Sequence, residues 1–367
     1  MASSPRGSLL RLALCAVAAL PARAESRLEV LTLNVWHGLR PKAAWRLAGE
    51  PEERRQVRLA AQLDALAEIA ADLVFLQEVN PAPALARRYA ERLGFDEVHK
   101  VDACGIRIGS VGVPTNVRSG LAILGRPGLE LRRLGSARLS GLGGCSDAAG
   151  FQLGESRYAL FAEITHAGRR VLLVNVHLRN VPCGSAGFEE RLAQLVRAGE
   201  LPPDEAAEVE ARVVRRTRRQ EQEALALASA IERRAGRAPY AAIVVAGDLN
   251  AEPGSETLNT LVRHGFVPAL EPLGPPAPSY DPLTNAENAA LAAPATSPYP
   301  TFGRSALVGL YAAERARPRR IDHVLVRGAL EIRATTRTLD QPRAGLYLSD
   351  HFAIRARLVA SCPPASE

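Results

Sequence analysis

Beyond residue 24 the sequence has no apolar run approaching the roughly 20 residues that a membrane-crossing helix needs, so the mature chain is expected to be soluble. Cysteine is scarce, five in 367 residues, and none lies in the polar motifs that carry chemistry. HExxH and closely paired cysteines are also missing, which excludes the usual zinc patterns. No internal repeat is visible. Charged residues are only 23% of the chain against 47% hydrophobic, so the protein can bury a large core.

The one apolar run of note is at the start. Arg6 and Arg11 precede the apolar residues 12–20, followed by Pro21 and the small-x-small site Ala22, Arg23, Ala24. This is the pattern of a secretory signal, too short to anchor the chain in a bilayer. Residues 1–24 are therefore expected to be removed, leaving a secreted protein, extracellular or periplasmic. Residues 25–360 are expected to form one catalytic domain with insertions near 179–215 and 268–300, followed by a tail at 361–367. A cut anywhere inside it would divide the motifs.

Those motifs are short polar groups at the ends of strand-like apolar runs: Asn34 in LTLNVW, Glu78 in VFLQEV, Asn175 and His177 in VLLVNVHL, Asp248 and Asn250 in IVVAGDLN, Asp322 in RIDHVLV, and Asp350 and His351 in LSDHFAI. A run such as 171–174 must be buried on both faces, so a polar group at its tip is costly unless the tips converge on a shared site. Carboxylate and amide oxygens suit a hard cation such as Mg2+, with Mn2+ as the alternative, and the histidines suit acid and base work. The expected chemistry is a metal-assisted attack on phosphate. Period-2 geometry puts Asn175 and His177 on one face, and the pair Asp248 and Asn250 has the same spacing, so the two pairs are expected to grip one phosphate. Asp350 and His351 are adjacent and reach a common site only from a bend. Ser349 beside them cannot make a relay, because three consecutive residues cannot bond in series across space. His323 points away from Asp322 on a strand.

The formal charge of +7 and pI near 9.5 favour anionic partners, namely phosphate esters, nucleic acid or an acidic membrane surface. The arginines 212, 215, 216, 218 and 219 read first as a solvated helix face and second as an anion-binding one. Four cysteines remain after cleavage, Cys104, Cys145, Cys183 and Cys362, and an exported chain favours pairing them. Three pairings are open.

Strand-like runs recur at 28–33, 73–76, 121–124, 158–164, 171–176, 242–246, 321–326 and 352–358, and helical periodicity at 54–70, 83–93, 205–234 and 256–264. Strands outnumber helices, which predicts an α/β sandwich of four layers: two mixed sheets face to face with helices outside. Residues 268–300, rich in Pro and Ala, read as a long surface loop.

In order and wording these motifs resemble the endonuclease/exonuclease/phosphatase superfamily, with its DNase-I-like fold, over most of residues 28–358. The resemblance implies that Asn34 and Glu78 hold the metal, assisted by Asp350. It implies that Asp248 and Asn250 orient phosphate and water, with Asn175 also on the phosphate. His351 would be the general base, paired with Asp322, and His177 would stabilise the phosphorane or assist the leaving group. Within the superfamily, GGCSDAAGF, HLRNVPCG and SYDPLTN resemble secreted bacterial sphingomyelinases, which implies a Cys145–Cys183 disulfide. It also implies a phospholipid substrate, peripheral membrane contact and a monomer. Those enzymes carry an exposed aromatic hairpin before the SDH motif, whereas residues 335–348 here offer only Tyr347, so the inserted segments would have to replace it. A secreted nuclease is the first rival, another phosphoesterase such as a phosphoinositide phosphatase the second, and a catalytically dead binding module the third.

Overall fold

The computed structural model describes residues 26–43, 46–108, 111–113, 117–181, 187–270, 276–292 and 305–361. The expected leader, Cys183 and Cys362 lie outside them.

Two sheets carry the fold. The first has the spatial order Leu330–Thr338, Ala353–Ala360, Arg27–Asn34, Leu73–Val79, Ser119–Gly125, Asp96–Ala103. The second runs Val267–Pro268, Asp322–Gly328, Ala242–Asp248, Arg169–His177, Ala149–His166, Ile106–Ile108, Val111–Val113, with Arg132–Cys145 pairing Ala149–His166 on the side. Each sheet is mixed around one parallel pair. In the first it is Arg27–Asn34 with Leu73–Val79, and in the second Arg169–His177 with Ala242–Asp248. A parallel pair puts two C-terminal ends side by side, and these four ends carry Asn34, Glu78, His177 and Asp248.

Alternation sorts the side chains into layers. Leu28, Val30, Phe75, Leu173, Val244 and Val324 form the core between the sheets. Leu31, Leu33, Val74 and Leu76 face the helices Glu52–Ile69 and Ala82–Leu93. Leu172, Val174 and Val245 face the helices Pro203–Ala235 and Glu256–Arg263. Helix, sheet, sheet, helix is the four-layer sandwich that the sequence predicts. Among the described residues no helix is long and apolar enough to cross a membrane.

Several elements depart from expectation. The strand Arg132–Cys145 was missed because its glycine-rich, largely exposed sequence lacks an apolar alternation. Asp96–Ala103 is a polar strand at a sheet edge and was equally silent. Phe188, Leu192, Val209, Leu307 and Tyr311 make a small separate core under the helices Phe188–Arg197 and Ser305–Arg315. The described part of the predicted surface loop is not one: Ser279, Asp281, Asn285 and Asn288 are buried. Cys145 is bonded to Cys104, not to Cys183. The cause is sheet pairing that the sequence did not signal, for Gly150 lies opposite Cys145 in register and directly against the Cys104 sulfur.

Candidate active site

A cleft of about 260 Å³ opens at the shared end of the two parallel pairs. Seven expected residues line it: Asn34, Glu78, His177, Asp248, Asn250, Asp350 and His351. A larger hollow of about 480 Å³, against Glu97, His99, Lys100 and Arg133, contains none of them.

Asn34 and Asp248 reach the cleft by strand alternation, each in step with the inter-sheet side chains before it. Glu78 does not. Alternation would turn it toward the outer helices, but its backbone is left-handed, with φ +57°, and the register breaks between Leu76 and Val79. Asn250 is likewise left-handed, with φ +50°. Such non-glycine conformations cost of order 1–3 kcal/mol and persist only where the surroundings enforce them. At Asn250 the enforcement is visible: its N–H donates to Asp248 Oδ1 at 2.9 Å and its Nδ2 to the Leu178 carbonyl at 3.0 Å.

Asp248 is the hub. Its Oδ2 accepts from Asn34 Nδ2 at 3.1 Å and lies 3.5 Å from His177 Nε2 and 3.9 Å from His351 Nε2. Asp322 stands behind His351, with Oδ2 2.7 Å from Nδ1, and does not line the cleft. Asp350 and His351 occupy the expected bend. Ser349 Oγ donates to the Asn34 carbonyl at 2.5 Å and accepts from the His351 N–H at 3.1 Å, so it ties the bend to the first sheet and is no nucleophile. Ser279 Oγ accepts from the N–H groups of Ile321 and Asp322, both at 3.0 Å, and Asn285 Nδ2 donates to the Ser349 carbonyl at 2.9 Å. The SYDPLTN segment thus braces Asp322 and the bend.

One expected phosphate ligand is corrected. Asn175 is fully buried one pleat below His177. Its Nδ2 donates to the carbonyls of Leu76 at 2.9 Å and Ala122 at 2.7 Å, and its Oδ1 accepts from Gln77 at 2.8 Å. With both donors spent across the sheet interface it cannot touch a substrate. His323 is also remote, its Nε2 held 2.8 Å from the Ala251 carbonyl.

Electrostatics separates the acids of the cleft. Burial raises Glu78, but the imidazole and N–H of His37 help outweigh it and hold the carboxyl at about 2. Asp350 moves the other way, to about 6, through burial and despite His351, with Glu78 adding to the rise. Asp248 is pushed up to about 7 by burial and by Asp322. Burial opposes a charge on His351, yet Asp322 and Asp248 overcome it and lift the imidazole to about 10. His177 is driven well below its usual value by burial and Arg157, and is neutral. In the resting site, then, His351 is favoured in its protonated form and Asp248 has a raised proton affinity.

For a metal, Glu78, Asp350 and Asn34 offer oxygen donors to the cleft, and the mutual repulsion of two half-buried carboxylates is what a divalent cation relieves. The residues fit. A second cluster, Asp248, Asp322 and His351, brings its ligand atoms within 4.8 Å of one another. It fits less well, because His351 Nδ1 and Asp322 Oδ2 already bond to each other.

Sequence reasoning missed His37, 3.5 Å from Glu78, and the cleft residues Arg157, Asn180, Tyr280, Arg315 and Arg319. None sits at the tip of an apolar run, where burial makes a polar residue conspicuous.

The Endonuclease/Exonuclease/phosphatase family model matches residues 31–351. No curated protein sequence matches significantly. Among solved structures, the endonuclease/exonuclease/phosphatase from Bacteroides vulgatus aligns at 15% identity and TM-score 0.53, over 92% of this chain and 100% of its own. A family protein from Bacteroides thetaiotaomicron aligns at 12% and 0.52, over 93% and 98%. TDP2 from C. elegans aligns at 14% and 0.50, over 91% and 75%. These likenesses establish the shared sandwich. With the family match running from the first strand through the bend at Asp350 and His351, the chain belongs to the Endonuclease/Exonuclease/phosphatase family.

Proposed function

We propose that this protein is an exported, Mg2+-dependent phosphodiesterase that hydrolyses anionic phosphodiesters, nucleic acid foremost, by in-line attack of water. The observation that carries the reading is the convergence of seven polar strand-end residues on one cleft that three arginines also line, Arg157, Arg315 and Arg319. Guanidinium groups favour a chain of phosphates over a zwitterionic headgroup such as phosphocholine, whose quaternary ammonium they repel.

The roles follow from charge and position. Glu78, Asp350 and Asn34 would hold the metal, which when bound neutralises charge on the phosphoryl oxygens. Asp248 accepts the proton of the attacking water and Asn250 orients that water. His351, kept charged by Asp322, stabilises the pentavalent phosphorane, and its Nε2 is free to protonate the departing oxygen. Neutral His177 donates a hydrogen bond to the phosphoryl group. No covalent intermediate is needed.

A second reading, a sphingomyelinase-like phospholipase C, is favoured by one observation. Ile106, Ile108, Leu142 and Phe151 are 49%, 82%, 66% and 53% exposed, on paired strands where Ile106 lies opposite Phe151. That apolar face suits a lipid surface. The Cys145–Cys183 bridge no longer supports this reading.

The test is one panel on purified protein with Mg2+ or EDTA, using bis(4-nitrophenyl) phosphate, plasmid DNA and sphingomyelin vesicles. Metal-dependent cleavage of the diester and nicking of the plasmid are expected. Phosphocholine release without nicking would move the assignment to the lipid, and inertness toward all three would remove the enzyme reading.

A further inference from the structure

Arg319 is a buried cation without a counter-ion. It lines the cleft and is 7% exposed. Its Nε has no hydrogen-bond partner, and among the described residues no carboxylate forms an ion pair with it. Glu252, whose field it feels, is engaged by Arg317. Burying an unpaired guanidinium is costly, so a position like this persists where a ligand supplies the anion.

The chain fixes Arg319 in place. Its guanidinium carbon lies 4.8 Å from the centre of the Tyr280 ring. The two backbones exchange hydrogen bonds, Tyr280 N–H to the Arg319 carbonyl at 3.0 Å and Arg319 N–H to the Tyr280 carbonyl at 2.8 Å. The same ring meets His351 edge to face, with centroids 5.7 Å apart and planes at 67°. Tyr280 therefore contacts both side chains, and it separates the guanidinium from the reacting centre by one ring.

We propose that Arg319, seated on Tyr280, binds a second phosphate of the substrate, the one adjoining the phosphodiester that is cut. The inference rests on the phosphodiesterase reading and narrows it to a nucleotide chain, whose neighbouring phosphate is one step along the backbone. The scissile phosphoryl group is served by His351, Asn250 and His177. A group one ring away from His351 serves the next phosphate, and the guanidinium fork matches phosphate oxygens two at a time. Arg157 does not fill this role, because Glu155 is paired with it.

The experiment compares TpT with its end-phosphorylated forms pTpT and TpTp. Wild-type protein should cleave one of the phosphorylated forms with kcat/KM at least about 10-fold above TpT, mostly through KM. Arg319→Gln should abolish that preference, whatever its rate on TpT, and Arg319→Lys should keep part of it. If Arg319→Gln does not fold, Tyr280→Leu, which removes the seat, should lower the preference instead. No preference in the wild type, or an unchanged ratio in Arg319→Gln, overturns the proposal. Failure to cleave even bis(4-nitrophenyl) phosphate is a different result, which removes the phosphodiesterase reading and this inference with it.

Discussion

Asp322 and His351, 29 residues apart in sequence, meet at 2.7 Å between Oδ2 and Nδ1. The aspartate is wholly buried and contributes nothing to the cleft wall, so its influence on chemistry passes through the imidazole. It fixes which nitrogen faces the cleft and favours the charged form of the ring.

Asp322→Asn should therefore lower kcat by about 10²- to 10⁴-fold with a small change in KM. The pH profile should move in a defined direction. His351 is lifted to about 10 in the native site, chiefly by Asp322, so without that carboxylate the imidazolium is lost at lower pH. The alkaline limb of the rate profile should shift downward, and an unshifted limb in the variant would contradict the pairing.

Chelation should abolish activity, and Mg2+ should restore it better than Ca2+, because the oxygen donors Glu78, Asp350 and Asn34 suit a small hard ion. Glu78→Gln removes one ligand charge, so its Mg2+ titration should move to higher concentration and largely recover. His351→Ala should stay inactive at any Mg2+ concentration. Equal rescue of both variants would show that the two walls of the cleft have been assigned wrongly.

Asn175 and Asn250 should behave as different kinds of residue. Asn175→Leu leaves the Leu76 and Ala122 carbonyls without their buried donor, a loss of about 2–3 kcal/mol in urea-unfolding stability, with KM for bis(4-nitrophenyl) phosphate unchanged. Asn250→Ala should instead depress kcat/KM. A raised KM in a folded Asn175→Leu protein would return that residue to the substrate.

Acid should destabilise the fold partly through His323. Burial and Arg320 push its imidazole down to about 4, whereas in the unfolded chain it titrates near 6.5. Between those values the unfolded state binds the extra proton, so this contribution is complete above about pH 6.5 and is lost as pH falls toward 4. Its size is about 3 kcal/mol at most. Urea midpoints at pH 7 and pH 4.5 should differ less in His323→Gln than in the wild type.

The sequence by itself determined which polar strand ends would share one cleft. A strand buried on both faces cannot end in a carboxylate or imidazole without a reason, so LTLNVW, VFLQEV, IVVAGDLN and LSDHFAI marked the cleft, and the run lengths marked the central strands and long helices. Polar edge strands such as Asp96–Ala103 carried no such signal, because their few apolar residues, Val98, Val101 and Ala103, form neither a run nor an alternation. Alternation gives the face of a side chain but not its depth, and so it could not separate His177, at the rim, from Asn175, one pleat below and saturated by the opposite sheet. Only the tertiary structure turned Glu78 into the cleft against its own strand parity, paired Cys145 with Cys104 across strands that the sequence did not announce, and seated Arg319 on Tyr280. Each of these depends on contacts between segments far apart in the chain, and no local pattern records them.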